Sequence, residues 1–286
     1  MLIDPHDAFC SVRIFLFKEL FMKHCLTVAG SDCSGGAGIQ ADLKTFGALG
    51  CYGMSVITSV VAENTAKVIS MENMPQNIVA DQLDAVFGDI RVDAVKTGML
   101  PNCDIIRTAA RSLKKYSPPA IICDPVMIAT SGGELMRSDA LSVFIDEMLP
   151  LCTMVTPNIP EAEAVSGMSI TDMDGMKAAA EKIHSMGAMY VLVKGGHLEG
   201  DAADVLFDGK EHHIFTHSRI DSRATHGTGC TLSSAITAFM AKGEDVCRAV
   251  ALAKDYLTGA IADGFENIGA GHGPVNHFYK FYKENE

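Results

Sequence analysis

The run His226-Gly227-Thr228-Gly229-Cys230-Thr231 holds the residue types most readily turned to chemistry in this chain. Two glycines flank a threonine, and Leu232, Ser233, Ser234, Ala235 and Ile236 follow, the pattern of a tight turn that opens a helix. The first amides of a helix have no partner within it and the macrodipole adds partial positive charge, so such a turn suits an anion, most often phosphate. Cys230 falls inside the turn. Helix N-termini and nearby cations lower a thiol from ~8.5 to roughly 3.5–7.5, so a thiolate is expected there. The same residues also fit a plain turn carrying a small core cysteine, and alone they leave both readings open.

Further residues of chemical interest stand where apolar runs end. The first run leaves through Ala29-Gly30-Ser31-Asp32-Cys33-Ser34-Gly35-Gly36-Ala37-Gly38-Ile39-Gln40, a glycine-rich loop that opens a helix. It has neither the Gly-Lys-Ser/Thr of a Walker A loop nor the spacing of GxGxxG, which leaves close backbone approach to a flat small molecule. Glu63 follows a second run, as a helix cap, a solvated loop residue or a member of a site rim. Met99, Val126 and Met127 fit a core as well as a wall beside a planar ring, and Asp124-Pro125 fits a turn. Asn158 and Glu161, with Pro160 as a first helical residue, describe either a helix cap or an amide and carboxylate for Mg²⁺. Lys194, ahead of two glycines, can reach a polyphosphate or stay a surface lysine.

Apolar β-branched runs alternating with amphipathic segments must position these residues. Strands are expected at His24 to Gly30, Gly53 to Val60, Ala94 to Thr97, Ala120 to Asp124, Met154 to Thr156 and Met189 to Lys194. Ile78 to Arg91 reads as a helix whose inner face carries Ile78, Val79, Leu83, Val86, Phe87 and Ile90. Asp204 to Phe207 and His212 to Thr216 read as a hairpin around Asp208-Gly209-Lys210. The pattern is that of an α/β protein with a mostly parallel sheet and helices on both faces, and ligands then bind at the carboxyl ends of the strands.

The 286 residues, 48% of them hydrophobic, suffice for one large domain, and no repeat or linker suggests a cut. A formal charge of -12 argues against a nucleic-acid or membrane surface, so any phosphate site is local. The 9 cysteines form no CxxC pair or disulfide-like framework, which points to reduced cytoplasmic thiols and no zinc site. The apolar run Ile14 to Phe17 is too short for export, and residues 1–21 read as an extension before a start at Met22, with 22–286 as the domain.

Together the segments resemble the ribokinase-like superfamily, and within it the hydroxymethylpyrimidine and phosphomethylpyrimidine kinases of thiamine biosynthesis, over roughly residues 23–282. Carrying the resemblance are the 29–45 loop and helix, Val61-Ala62-Glu63-Asn64-Thr65, Gly98-Met99-Leu100, Asp124-Pro125-Val126-Met127, Thr156-Pro157-Asn158, Lys194-Gly195-Gly196-His197, Thr225 to Thr231 and Gly271 to Phe278. It implies a three-layer α/β/α sandwich and MgATP-dependent phosphorylation of 4-amino-5-hydroxymethyl-2-methylpyrimidine, first to the monophosphate and then to the diphosphate. By the family's pattern Gly30, Asp32, Ala37, Glu63, Met99 and Val126 surround the pyrimidine, and Gly227, Thr228, Gly229 and Cys230 form the catalytic anion hole with Cys230 as base. Asn158, Lys194 and Thr228 match the ATP side, and Asn158, Glu161 and Asp124 the Mg²⁺. Relatives suggest a homodimer. One departure stands out: Glu63 replaces a common glutamine, and an ionised carboxylate accepts hydrogen bonds but cannot donate. Competing readings are a pyridoxine or pyridoxal kinase and a non-catalytic pyrimidine sensor. Ala129-Thr130-Ser131-Gly132-Gly133 is the candidate flap.

Overall fold

The structure, a computed structural model, describes residues 22–127, 135–137, 139–196 and 202–282. The expected extension over 1–21, the flap over 129–133 and His197 lie outside the described residues.

From β1 (His24–Asp32) the chain passes through α1 (Gly38–Ala48), β2 (Tyr52–Glu63), β3 (Val68–Asn73), α2 (Gln76–Asp89), β4 (Ala94–Thr97), α3 (Cys103–Tyr116) and β5 (Ile121–Cys123). A short helix α4 (Ala140–Val143) continues through a π turn and a 3-10 turn to β6 (Met154–Val155), α5 (Ile159–Ser166), α6 (Met173–Ser185) and β7 (Tyr190–Lys194). The hairpin β8 (Ala202–Phe207) and β9 (His212–His217) precedes α7 (Thr228–Ala241), α8 (Val246–Ala262) and α9 (Tyr279–Tyr282).

Among the described residues the strands form one 9-stranded sheet in the order β3-β2-β1-β4-β5-β6-β7-β8-β9. The pairs from β2 through β7 are parallel, and antiparallel pairing is confined to β2–β3 at one edge and β7–β8–β9 at the other. Parallel neighbours require crossover helices, which bury both faces of the central strands. Cys25, Leu26, Val28 and Ala29 of β1 are buried accordingly, as is every residue of β4. One apolar layer joins the sheet to α2, α3, α5 and α6, the other to α1, α7 and α8. Leu26, Phe46, Leu83 and Ile105 are at most 1% exposed, and burying each such side chain contributes roughly 1.5–3 kcal/mol.

Strand order reverses at β1, which lies between β2 and β4. The carboxyl ends of β1, β4 and β5 therefore open a crevice where crossover connections part to opposite sides.

Two local expectations are corrected. β3 was not expected: Val68, Ile69 and Met71 alternate with polar residues on a ribbon that is half-buried or exposed throughout, so they form neither a continuous apolar run nor a clean inward face. In α2, Ile78 is 43% exposed whereas Val79 and Leu83 are fully buried. Adjacent helical positions lie about 100° apart, so Ile78 and Val79 cannot both face the sheet.

Candidate active site

The turn before α7 takes its shape from Gly227, whose φ of 82° is left-handed. A Cβ there would collide with the Gly36 carbonyl, and one on Gly36 would strike the His226 ring, so the 33–38 loop and the 226–229 turn interlock through missing side chains. Thr231 donates from its amide and hydroxyl to the Gly227 carbonyl at 2.9 and 2.8 Å, and no side chain caps the helix. Among the described residues the amides of Gly227, Gly229 and Cys230 have no hydrogen-bond partner. The Thr228 amide differs from expectation: it turns back towards the Thr225 carbonyl at 3.4 Å. Unpartnered donors at a helix N-terminus are of the kind that can hold an anion.

Beneath the turn lies a buried ion pair. Lys96 Nζ contacts both oxygens of Asp42 at 2.9 Å, each side chain 0% exposed. Thr27 and Ser234 hydroxyls donate to the same carboxylate at 2.6 and 2.7 Å. Burial alone would discharge Lys96, but the facing charges of Asp42, first, and Asp124 hold its proton more tightly than usual. The expected resting thiolate at Cys230 is corrected. Burial pushes this thiol up to about 11, with Asp42 and Asp124 adding to the rise, and the Lys96 charge and Gly38 amide offset only part of it.

On one side of the turn Asp124, 2% exposed, accepts from Lys194 at 2.8 Å and from Thr156 at 3.1 Å. Burial works against its charge, yet Lys194 and Lys96 keep its carboxyl below the usual range. Lys194, expected either to reach a polyphosphate or to stay a surface lysine, is paired with Asp124 and 15% exposed at the cavity wall. A Cβ on Gly229 would lie 3.5 Å from both Asp124 Oδ2 and Lys194 Nζ, so the glycine keeps this approach to the amides clear. Asn158 and Glu161 form a reciprocal capping box, with Asn158 Oδ1 accepting the Glu161 amide at 2.9 Å and Glu161 Oε2 accepting the Asn158 amide at 2.8 Å. Pro160 is the second helical residue, since α5 begins at Ile159. Burial first, then the Asp124 charge, raises the Glu161 carboxyl to about 7 against the pull of Lys194. Asp204 accepts from Lys254 at 2.6 Å and from the Gly195 amide at 2.9 Å, completing this end of the cavity.

On the other side Gly30 and Met99 touch so closely that a Cβ at Gly30 would stand 2.9 Å from Met99 Sδ. Ala37, Val61 and Val126 line the same end. Asp32, expected on the substrate side, lines the cavity and also clamps its own loop. It accepts from the amides of Ser34, Gly36 and Ala37 at 2.7, 3.0 and 2.7 Å, the Ser34 hydroxyl at 3.0 Å and His226 Nε2 at 2.9 Å. Burial opposes its ionisation, but these donors hold it far below the carboxylate range. Glu63 ends β2 and is half-buried at the cavity wall. Burial, then the Asp32 charge, raises its carboxyl to about 6, with His226 opposing.

A single cavity of about 800 Å³ connects both ends and passes the turn, bringing together all the expected site residues. The buried pairs Lys96–Asp42 and Lys254–Asp204 beside the cavity were not anticipated from the sequence. Their only sequence signal was a charge amid buried neighbours: Lys96 in the four-residue strand β4, and Lys254 next to Ala253 on the inner face of α8.

The sequence pattern of the family described as phosphomethylpyrimidine kinase matches residues 32–276. A thiamine biosynthesis bifunctional protein of Geobacter sulfurreducens is 51% identical over 88% of this chain, which spans only 51% of that protein. A hydroxymethylpyrimidine/phosphomethylpyrimidine kinase of Rhizobium meliloti is 50% identical over 91% of this chain and 98% of its own length. Among solved structures, an ADP complex of Bacillus subtilis pyridoxal kinase superposes with a TM-score of 0.85 at 40% identity, covering 91% of this chain and 99% of that one. The likeness identifies the ribokinase-like fold and an ATP-using phosphotransferase, and this chain belongs to the phosphomethylpyrimidine kinase family.

Proposed function

We propose that this kinase transfers the γ-phosphoryl group of ATP to the hydroxymethyl oxygen of 4-amino-5-hydroxymethyl-2-methylpyrimidine, and then a second phosphoryl group to the monophosphate, in thiamine biosynthesis. The carrying observation is the set of unpartnered amides at Gly227, Gly229 and Cys230, set between an apolar end at Met99 and Val126 and a charged end at Lys194 and Lys254. Phosphoryl transfer asks mainly for alignment and charge neutralisation. The amides neutralise charge on the moving group, Lys194 re-partners from Asp124 to a phosphate oxygen, and the apolar walls fix the ring with its carbinol at the turn. In the first transfer a thiolate at Cys230 removes the carbinol proton. Because the thiol rests protonated, that step draws on a minor ionised fraction favoured by Lys96. In the second transfer the acceptor is an ionised phosphate and needs no base.

Mg²⁺ is part of this reading. The Asn158 oxygen is committed to the capping box, so the carboxylates of Asp124 and Glu161 fit a hard cation better, and one or two such ligands suffice. When bound, the ion would neutralise the phosphate oxygens of ATP. Residues 22–286 serve as one kinase domain and form a homodimer, for which sedimentation at two concentrations is the test. Among the described residues, no helix is long and apolar enough to cross a membrane.

Phosphorus NMR of a reaction containing ATP and the pyrimidine alcohol tests the proposal: monophosphate should appear first and diphosphate second. Exclusive phosphorylation of pyridoxal in a mixture of the two alcohols would refute it.

A further inference from the structure

The proposed pyrimidine site poses a chemical puzzle. The ring nitrogen beside the amino group accepts a hydrogen bond and the amine donates one, so a matching side chain must do both. Glu63 is the polar side chain best placed at the apolar end, and among the described residues nothing donates to its carboxyl oxygens; only its backbone carbonyl is used, by Cys33 Sγ at 3.2 Å. The surroundings decide its charge. A carboxylate oxygen of Asp32, one of Glu63 and a ring nitrogen of His226 lie within 4.8 Å of one another. Asp32 already accepts from Ser34, Gly36, Ala37 and His226, so it stays ionised and has no proton to share. Two carboxylates this close do not both ionise readily, and the one without donors is the one that keeps a proton.

We propose that Glu63 meets the aminopyrimidine edge as a neutral acid, its O–H donating to the ring nitrogen and its other oxygen accepting from the amine, so that substrate and one proton from solvent bind together. Asp32 acts through Glu63 as a positioning residue, a fixed negative charge that retains this proton. The inference rests on the pyrimidine reading above. Burial and the Asp32 charge already lift Glu63 to about 6 in the free protein, and donation to the ring raises it further in the complex. Of the other groups around it, His226 opposes the rise without cancelling it while its ring nitrogen bonds Asp32 at 2.9 Å, Lys67 of the β2–β3 turn is exposed, and the exposed His272 pairs through its ring with Thr225 at 3.0 Å.

Proton uptake and KM test the proposal together. Titration of the full chain with the hydroxymethylpyrimidine at pH 7.5, in two buffers of different ionisation enthalpy, should show uptake of about one proton per site. The KM for the pyrimidine should rise about tenfold from pH 7 to pH 8, since the competent neutral form falls by that factor. Glu63→Gln donates and accepts without titrating, so uptake should vanish and the KM profile should flatten. Asp32→Asn removes the charge that retains the proton, so the rise in KM should begin at lower pH, and if that variant does not fold, Glu63→Gln carries the test. Binding and turnover without proton uptake, or uptake that persists in Glu63→Gln, would overturn the proposal and leave the kinase reading intact. Failure to bind the pyrimidine at any pH, with pyridoxal turned over, would overturn both.

Discussion

Two lysine–aspartate pairs flank the anion turn, and their difference separates scaffold from machinery. Lys96–Asp42 lies below the turn with both side chains 0% exposed, and Asp42 takes two further hydroxyl donors. Every oxygen of that carboxylate is used inside the protein. Lys194–Asp124 lies at the mouth of the turn with exposures of 15% and 2%, facing the cavity. An ammonium open on one side can exchange one oxygen partner for another without crossing a large desolvation barrier, whereas a sealed pair cannot. The closed pair fixes where β1, β4, α1 and α7 meet; in the proposed reaction the open pair would grip and release phosphate.

Breaking the closed pair should have the largest effect. Lys96→Met would leave Asp42 buried without its cation, and a loss of ~3–5 kcal/mol is expected, read from the urea midpoint. A fully stable Lys96→Met protein defective only in turnover would erase the contrast. Lys194→Met should do the opposite: kcat/KM for ATP falls by roughly 10²–10³, while stability falls by no more than ~1.5–3 kcal/mol because Asp124 keeps Thr156. Steady-state kinetics beside thermal melts with and without ATP would decide this.

Cys230 lies within electrostatic reach of both pairs. Cys230→Ala should slow the first phosphorylation by about 10²-fold and the second far less, because only the alcohol needs deprotonation. The sign of the pH dependence follows from the thiol standing at about 11: the ionised fraction grows as pH rises towards that value, so kcat for the first step should climb between pH 7 and 9 and the second should stay flat. Equal losses in both steps, with no pH slope, would leave Cys230 a spacer. The smallest effect is expected at Glu161, whose carboxylate is shared with the cap. Glu161→Gln keeps the capping geometry and should raise the Mg²⁺ requirement about tenfold or somewhat more, measured by activity against free Mg²⁺.

Much of the fold was legible because its central strands are buried on both faces and so read as short, mainly apolar runs broken only by a few buried polar residues such as Lys96 and Thr27. β4 was expected at the residues where it lies, and β1 and β7 differed only at their ends. β3 was not legible, since an edge ribbon with one side in solvent carries half-polar sequence. In the site, the turn at Gly227 was legible from its glycines, which only a left-handed or crowded backbone demands. The loop-gathering role of Asp32 was not legible, because a carboxylate in a glycine loop looks the same whether it only lines a cavity or also gathers its own loop's amides.

The amino-acid order by itself set the alternation of strand and helix, the strand-exit placement of the chemistry-bearing residues and the glycine-made opening of α7, because periodicity and backbone permissiveness are local properties. Tertiary structure alone decided the charges. Whether Cys230 is thiol or thiolate, whether Glu63 holds its proton, and which lysine stays sealed depend on burial and on partners far away in sequence, such as Asp32 and His226, separated by 194 positions yet in contact at 2.9 Å. Electrostatic energies follow distance and dielectric rather than chain order, so the same residue types could have carried the opposite protonation states in another packing.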